Sequence, residues 1–289
     1  MNRAMGWHPA YFIIAVAGLA LTLMLITASC RRPSPTPSDL PSDLSALYEQ
    51  AVTLHLEGRL REAGDLYAQV LAADPPQEAP ADERNRAFRF APRLFTTPTE
   101  PFALMDVVAI LHPEQPLIAY HLFWEDDIDY PDDQEPCDHE VVWVAYDPAQ
   151  DELTAVYTYY HGRILSNPVA LTKATEHDSR PWIGIQWGKH GSLPYGWESL
   201  HGGEVRYNMR RTYRRLSTKG HRLRDHPLAT DWPVTFDGTW EDFVDFSRPL
   251  ESRDWLSKDR RVWVSRWGNA VLDQYVLRYN FHPKPDWPR

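Results

Sequence analysis

The sequence predicts a mainly β fold with some α: an antiparallel β-sandwich domain preceded by a short helical hairpin. Three observations carry that reading. After residue 90, seven short runs rich in β-branched and aromatic residues are punctuated by proline and glycine. Between residues 44 and 77, apolar residues instead recur at helical spacing. Strand–helix alternation is absent, as are a glycine-rich phosphate loop and a G-x-S-x-G elbow, so parallel α/β architectures have no support.

Residues 1–29 read as a signal segment. Arg3 opens it, and "AYFIIAVAGLALTLMLITAS" then runs twenty residues without a charge up to Cys30. The "TASC" ending resembles a bacterial lipoprotein signal, which implies lipidation of Cys30; Thr27 stands where that signal usually has leucine. The run is also long enough to stay as an uncleaved anchor helix. Either way the rest of the chain is expected at the cell envelope, membrane-anchored on the extracytoplasmic side. Residues 30–43, "CRRPSPTPSDLPSD", form a stiff, solvated Pro/Ser linker.

Residues 44–87 are expected as the helical unit. Leu47, Ala51 and Leu54 share one face, Gly58 breaks the run, and Ala63, Tyr67 and Val70 or Leu71 share the next. The spacing of Leu47, Ala51, Gly58, Ala63, Tyr67 and Pro75 resembles one tetratricopeptide repeat. A single repeat cannot bury its own face. It is therefore either a docking module for a protein partner or a hairpin packed on the main domain, with "ADERNRAFRF" as a third helix.

Residues 88–289 are expected as the β-sandwich. Its strands are "PFALMDVVAILH", "LIAYHLFW", "EVVWVAYDP", "LTAVYTYYHG", "PWIGIQWGKHG", "RVWVSRW" and "AVLDQYVLRYNF". Six of the twelve tryptophans, Trp124, Trp143, Trp182, Trp187, Trp263 and Trp267, fall inside them and are expected in the core. Cys137 is the one cysteine after Cys30, so no disulfide framework is available to stabilise the domain. The net charge of −10 excludes a nucleic-acid-binding role.

The chemistry concentrates in residues 125–140, where nine carboxylates occupy sixteen positions and lead into an apolar strand. Strand side chains alternate, so Asp138 and Glu140 point one way and His139 the other. Two further histidines, His161 and His190, stand at strand ends before a glycine. Histidine there ligates a metal, acts as a base or hydrogen-bonds a loop. The opposing reading of the acidic run is a solvated loop without a site. Residues 206–224 are strongly basic and fit either anionic head groups or a solvated helix. Tyr195 and Trp197, in a glycine-rich loop, fit either sugar binding or a capped core.

The ordered segments "FAPRLFTTPTEPF", "IAYHLFWEDD", "DHEVVWVAYDP", "YYHG" and "RPWIGIQWGKHGSLP" resemble the necrosis-inducing (Nep-like) family and its relatives named vacuolar protein sorting-associated proteins. The resemblance covers about residues 88–200. It implies a β-sandwich, not an enzyme, that holds a divalent cation in an acidic cleft and engages a glycosylated sphingolipid head group. The family's D-W-E carboxylates fall on Asp138 and Glu140, with His139 in place of the tryptophan. The family histidine before them falls on Glu135, and its upstream aspartate on Asp127 or Asp126. The two departures leave the toxin heptapeptide only partly present. An all-oxygen shell of Asp127, Glu135, Asp138 and Glu140 favours calcium or magnesium over zinc. His161, His190, Tyr195 and Trp197 then line the ligand site. The leading expectation is cation-assisted binding of a glycan or lipid head group. The alternatives are a metal-dependent hydrolase with His161 or His190 as base, and a structural or protein-docking envelope protein.

Overall fold

Three central strands, β3 (Leu104–Leu111), β4 (Leu117–Trp124) and β5 (Asp138–Asp147), are buried over nearly their whole length. Burial on both faces explains why they read as continuous apolar runs instead of an alternating pattern. The structure is a computed structural model and describes residues 42–128, 138–218, 235–256, 261–276 and 281–288. Cys30, Glu135, Cys137, the signal segment and most of the linker lie outside them. Among the described residues no helix is long and apolar enough to cross a membrane.

Helices α1 (Ser42–Leu56) and α2 (Leu60–Ala73) form the expected hairpin, turning through Gly58 at φ +74°. Ala51 and Ala63 are fully buried, and their small side chains let the two helices approach closely. The short strand β1 (Gln77–Glu78) follows, then α3 (Ala81–Arg89), which is the third helix weighed above. The hairpin's core is shared with the sheet. Tyr67, Val70 and Leu71 belong to one apolar cluster with Val108, Ile110, Phe123, Trp267 and Phe281. Each such large side chain contributes about 1.5–3 kcal/mol on burial.

Beyond α3 come β2 (Arg93–Thr96), the three central strands, β6 (Glu152–Tyr160) and β7 (Arg163–Ser166). Helix α4 (Pro168–Glu176) leads to β8 (Trp182–Ile185) and β9 (Ser192–Pro194). A 3-10 segment, Trp197–Gly203, then enters α5 (Glu204–Leu216). The chain closes with α6 (Trp240–Phe243), β10 (Arg248–Glu251), α7 (Arg253–Leu256), β11 (Val262–Val264) and α8 (Gly268–Val271). Seven strands form one sheet in the order β1-β11-β3-β4-β5-β6-β7, and four form a second in the order β10-β2-β8-β9. Pairing is antiparallel except between β11 and β3 and between β2 and β8. Leu94, Ile183 and Ile185 of the small sheet share one cluster with Val107, Leu122, Trp124 and Val142 of the large one. The result is a mixed α/β arrangement with more helix than expected.

Two strand expectations are corrected. "AVLDQYVLRYNF" begins as α8 and continues through Leu272–Val276 as a π-type turn. Ala270, Val271 and Leu272 are all buried, and Gln274 Nε2 donates to the Gly64 carbonyl of α2 at 3.0 Å. A short apolar run fits helix or strand equally well, and packing against α2 decides. "PWIGIQWGKHG" stops being strand at Ile185, because His190 N donates to the Gln186 carbonyl at 2.9 Å and closes a tight turn. His190 therefore lies in the β8–β9 turn and does not end a strand. Helix α4 was absent from the expectation. Its signal was present in Asn167-Pro168: the Asn167 side chain caps Ala170 N at 2.8 Å, with proline in the first turn.

Candidate polar ligand site

The site is built at the first residues of β5. Their partners across the ladder are Trp124 for Asp138, Phe123 for His139 and Leu122 for Glu140. Alternation separates the Asp-His-Glu triplet as expected. His139 is wholly buried on the hairpin side, stacked on Phe123 at 4.7 Å and 11°. Its Nδ1 lies 3.2 Å from the His282 carbonyl, so Nδ1 carries the proton and donates. His139 Nε2 must then accept from His121 Nδ1, 3.0 Å away. Both rings are neutral: burial lowers the pKa of His121 to about 3 and holds His139 well below its usual value.

Asp138 faces the other way and meets His190. Asp138 Oδ2 lies 3.0 Å from His190 Nδ1, and Glu100 Oε1 lies 3.1 Å from His190 Nε2. The Glu100 carboxylate also accepts from Phe102 N at 3.2 Å and Gly188 N at 3.0 Å. The His190 ring lies flat on the Trp124 indole, with centroids 4.3 Å apart and planes at 4°. Burial works to lower the His190 pKa, but Glu100 and Asp138 overcome it and raise it to about 10. The ring is therefore an imidazolium between two carboxylates and over an aromatic face. Burial pushes Asp138 up, and its bond to His190 more than reverses that, so its pKa ends below the usual aspartate value.

The neighbouring carboxylates meet lysines. Lys189 Nζ is 3.4 Å from each carboxylate oxygen of Asp127, and Lys284 Nζ is 3.8 Å from Glu140 Oε1. Burial raises the Glu140 pKa well above its usual value against the pull of Lys284. Glu140 Oε2 is buried and has no hydrogen-bond partner. Burial also lifts Asp126 to about 7, against the hydrogen bond it accepts from Asp127 N and with help from the neighbouring carboxylate charges. His161 stands at the rim. Its ring packs edge-on against Tyr160 at 4.4 Å, and its Nε2 lies 2.6 Å from Gln186 Oε1. Burial of the ring, then Lys189, lowers its pKa to about 4. His161 and His190 both hold left-handed backbone, at φ +46° and +51°, which is rare for residues other than glycine.

The structure thus brings Asp127, Asp138, Glu140, His161 and His190 to one end of the sheet; Glu135 lies outside the described residues. Among the described residues, no group of three or more His, Cys, Asp or Glu side chains is arranged to hold a metal ion. Of the expected oxygen donors that are described, Asp127 faces Lys189, Asp138 faces His190 and Glu140 Oε1 faces Lys284, while Glu140 Oε2 is left without a partner. Tyr195 and Trp197 have their ring contacts elsewhere. Trp197 is core, 6.4 Å from Phe246, and the exposed Tyr195 lies 6.5 Å from Trp182. Reasoning from the sequence missed Glu100, Lys189, Lys284 and Gln186. Glu100 sits in the Pro98-Thr-Glu100 stretch of the family-like opening, but nothing there marks it as the partner of a histidine 90 positions away.

No protein-family model, curated protein or solved structure matches the chain.

Proposed function

We propose that the chain is an exported, membrane-anchored binding module whose polar cluster at the head of β5 receives the polar part of a glycan or lipid head group. The observation that carries this reading is the buried Asp138–His190–Glu100 chain. Stability alone does not call for it, since well-packed apolar residues often serve as well in place of buried ions. The left-handed backbone at His161 and His190 is a further cost of the kind retained at functional sites. The resemblance to the necrosis-inducing family points the same way, toward a sandwich that binds a glycosylated lipid. Residues shared between the two sheets in one apolar cluster support the sandwich reading. Export and lipidation rest on the apolar run and Cys30.

His190 is a poor base for the metal-dependent hydrolysis alternative, because both its ring nitrogens are engaged by carboxylates and none is left to take a proton from water, which leaves His161 as the base that alternative would need. The docking role for the hairpin has less support, because Val108, Ile110 and Phe123 already pack in the hairpin's apolar cluster. In this reading Lys189 and Lys284 supply the charge neutralisation that a cation was expected to supply. A second reading retains calcium or magnesium, because the buried, unpartnered Glu140 Oε2 is a hard oxygen donor. The test is co-sedimentation of residues 31–289, without the apolar segment and Cys30, with phosphatidylcholine vesicles with and without glucosylceramide. Binding that depends on the glycolipid and is lost in Asp138→Asn supports the proposal. Equal sedimentation with both vesicles opposes it.

A further inference from the structure

A second feature borders the polar cluster on the outside. Between the β6–β7 turn and helix α5 lies a cleft of about 720 Å³. Its lining is cationic in a chain whose net charge is −10. Arg163 and Lys189 contribute from one wall; Arg211 and Arg215 contribute from α5. Among the described residues the one carboxylate in the lining is Glu204, which pairs with Arg163 at 2.7 Å. Arg211 and Arg215 are four residues apart on the helix, so they share a face. Tyr160 also lines the cleft. It is almost wholly buried, and its hydroxyl has no hydrogen-bond partner. A buried hydroxyl without a partner carries a desolvation cost that a bound acceptor would remove.

We infer that this cleft is a binding site for an oxyanion, a phosphoryl or sulfo group, held by Arg163, Arg211, Arg215 and Lys189 with the Tyr160 hydroxyl as a further donor. Guanidinium forks match the oxygens of such groups, and several together suit a doubly charged anion better than a single carboxylate. The volume exceeds that of a bare phosphate, and the exposed Tyr207 at the rim offers a face to whatever carries the group. The inference deepens the binding proposal by naming the charged part of the ligand, and it shares only Lys189 and the rim residue His161 with the polar cluster. The same chemistry is offered by an anionic lipid head group and by a soluble phosphorylated compound.

The test is calorimetric titration of the full-length protein with inorganic phosphate and with sulfate, followed by sedimentation of residues 31–289, which lack the anchor segment, with phosphatidylcholine vesicles with and without phosphatidylglycerol. Saturable binding of the inorganic anion is expected, weakened about tenfold or more in the double variant Arg211→Gln, Arg215→Gln, which removes two charge-assisted contacts. Tyr160→Phe is expected to weaken it about threefold with no loss of melting temperature, because the hydroxyl removed has no partner in the protein. A purely structural tyrosine would leave the affinity unchanged. Vesicle binding that needs phosphatidylglycerol and is competed by phosphate assigns the lipid source. Phosphate binding without vesicle preference assigns a soluble ligand. Absence of binding to phosphate, sulfate and anionic vesicles overturns the inference, as does binding that the arginine variants do not alter. Glucosylceramide-dependent sedimentation that persists in the arginine variants leaves the binding proposal standing while this site fails.

Discussion

His190 Nδ1 lies 3.0 Å from Asp138 Oδ2, which joins a residue of the β8–β9 turn to the first residue of β5 inside the protein. Removing His190 leaves two buried carboxylates without their cation, whereas removing Asp138 leaves His190 Nδ1 without its acceptor while Glu100 still pairs with the ring. His190→Ala is expected to lower unfolding free energy by about 3–5 kcal/mol, and Asp138→Ala by about 1–3 kcal/mol. The double variant should cost much less than the sum. Urea unfolding of the four proteins of that cycle measures the coupling, and additive losses would show that the pair does not act as a unit.

The same pair sets an alkaline limit. Glu100 and Asp138, against burial, raise the His190 pKa to about 10. The folded protein therefore keeps a proton that the unfolded chain releases above about pH 6.5. This stabilisation is complete below that pH and is lost as pH rises toward 10, at up to about 1.4 kcal/mol per pH unit. Melting temperature measured from pH 6.5 to 10 should fall in the wild type and flatten in His190→Gln.

The acid limit lies on the opposite face of the sheet. Burial lowers the His121 pKa to about 3, and His139 is held well below its usual value. In the unfolded chain both take up protons below about pH 6.5, while the folded pair stays neutral. Stability is therefore full above that pH and falls as pH drops, by up to about 1.4 kcal/mol per unit for each ring. Replacing the pair with His121→Phe and His139→Leu should reduce the slope between pH 6.5 and 4; an unchanged slope places the acid sensitivity elsewhere.

Lys189 and Lys284 stand beside the Asp127 and Glu140 carboxylates. Lys189→Met frees both Asp127 oxygens from an ammonium 3.4 Å away. That variant is expected to bind calcium or magnesium about tenfold or more tightly than the wild type, since removing a like charge from a carboxylate site favours the ion. Isothermal titration with each cation reads the difference, and equal affinities would remove the lysine from this role.

The hairpin makes a prediction about the fold. Ala51 is fully buried where α1 meets α2. Ala51→Leu overpacks that contact and should destabilise by about 1–3 kcal/mol. Because Tyr48 Oη also meets Asp286 Oδ2 at 2.5 Å, the loss should appear in the one unfolding transition of the whole domain. A separate early transition would mark the hairpin as an independent unit.

What the sequence made legible follows from the range of each signal. The helical hairpin, β4 and the separation of Asp138 and Glu140 from His139 depend on local periodicity, and local periodicity is written in the chain. The turn at His190 is different. It closes through backbone bonds to Gln186, while a run such as Trp182–His190 carries the same β-rich composition whether or not it turns. The helical course of residues 268–276 depends on α2, some two hundred positions earlier, as in the bond between Gln274 and Gly64. The cations of the site were hidden for the same reason. Lys284 reaches Glu140 from the C-terminal segment, and no spacing rule links the two. An acidic run read alone asks for a metal; the fold shows lysines and a histidine at the described carboxylates.

The most direct test of the central claim is sedimentation of residues 31–289, without the anchor segment, with glucosylceramide vesicles in the presence of EDTA, compared with the Asp138→Asn variant. Glycolipid-dependent binding should persist in EDTA and be lost in Asp138→Asn. Binding that vanishes in EDTA and returns with calcium, or that Asp138→Asn leaves intact, would contradict a polar cluster that binds its ligand with its own lysines in place of a cation.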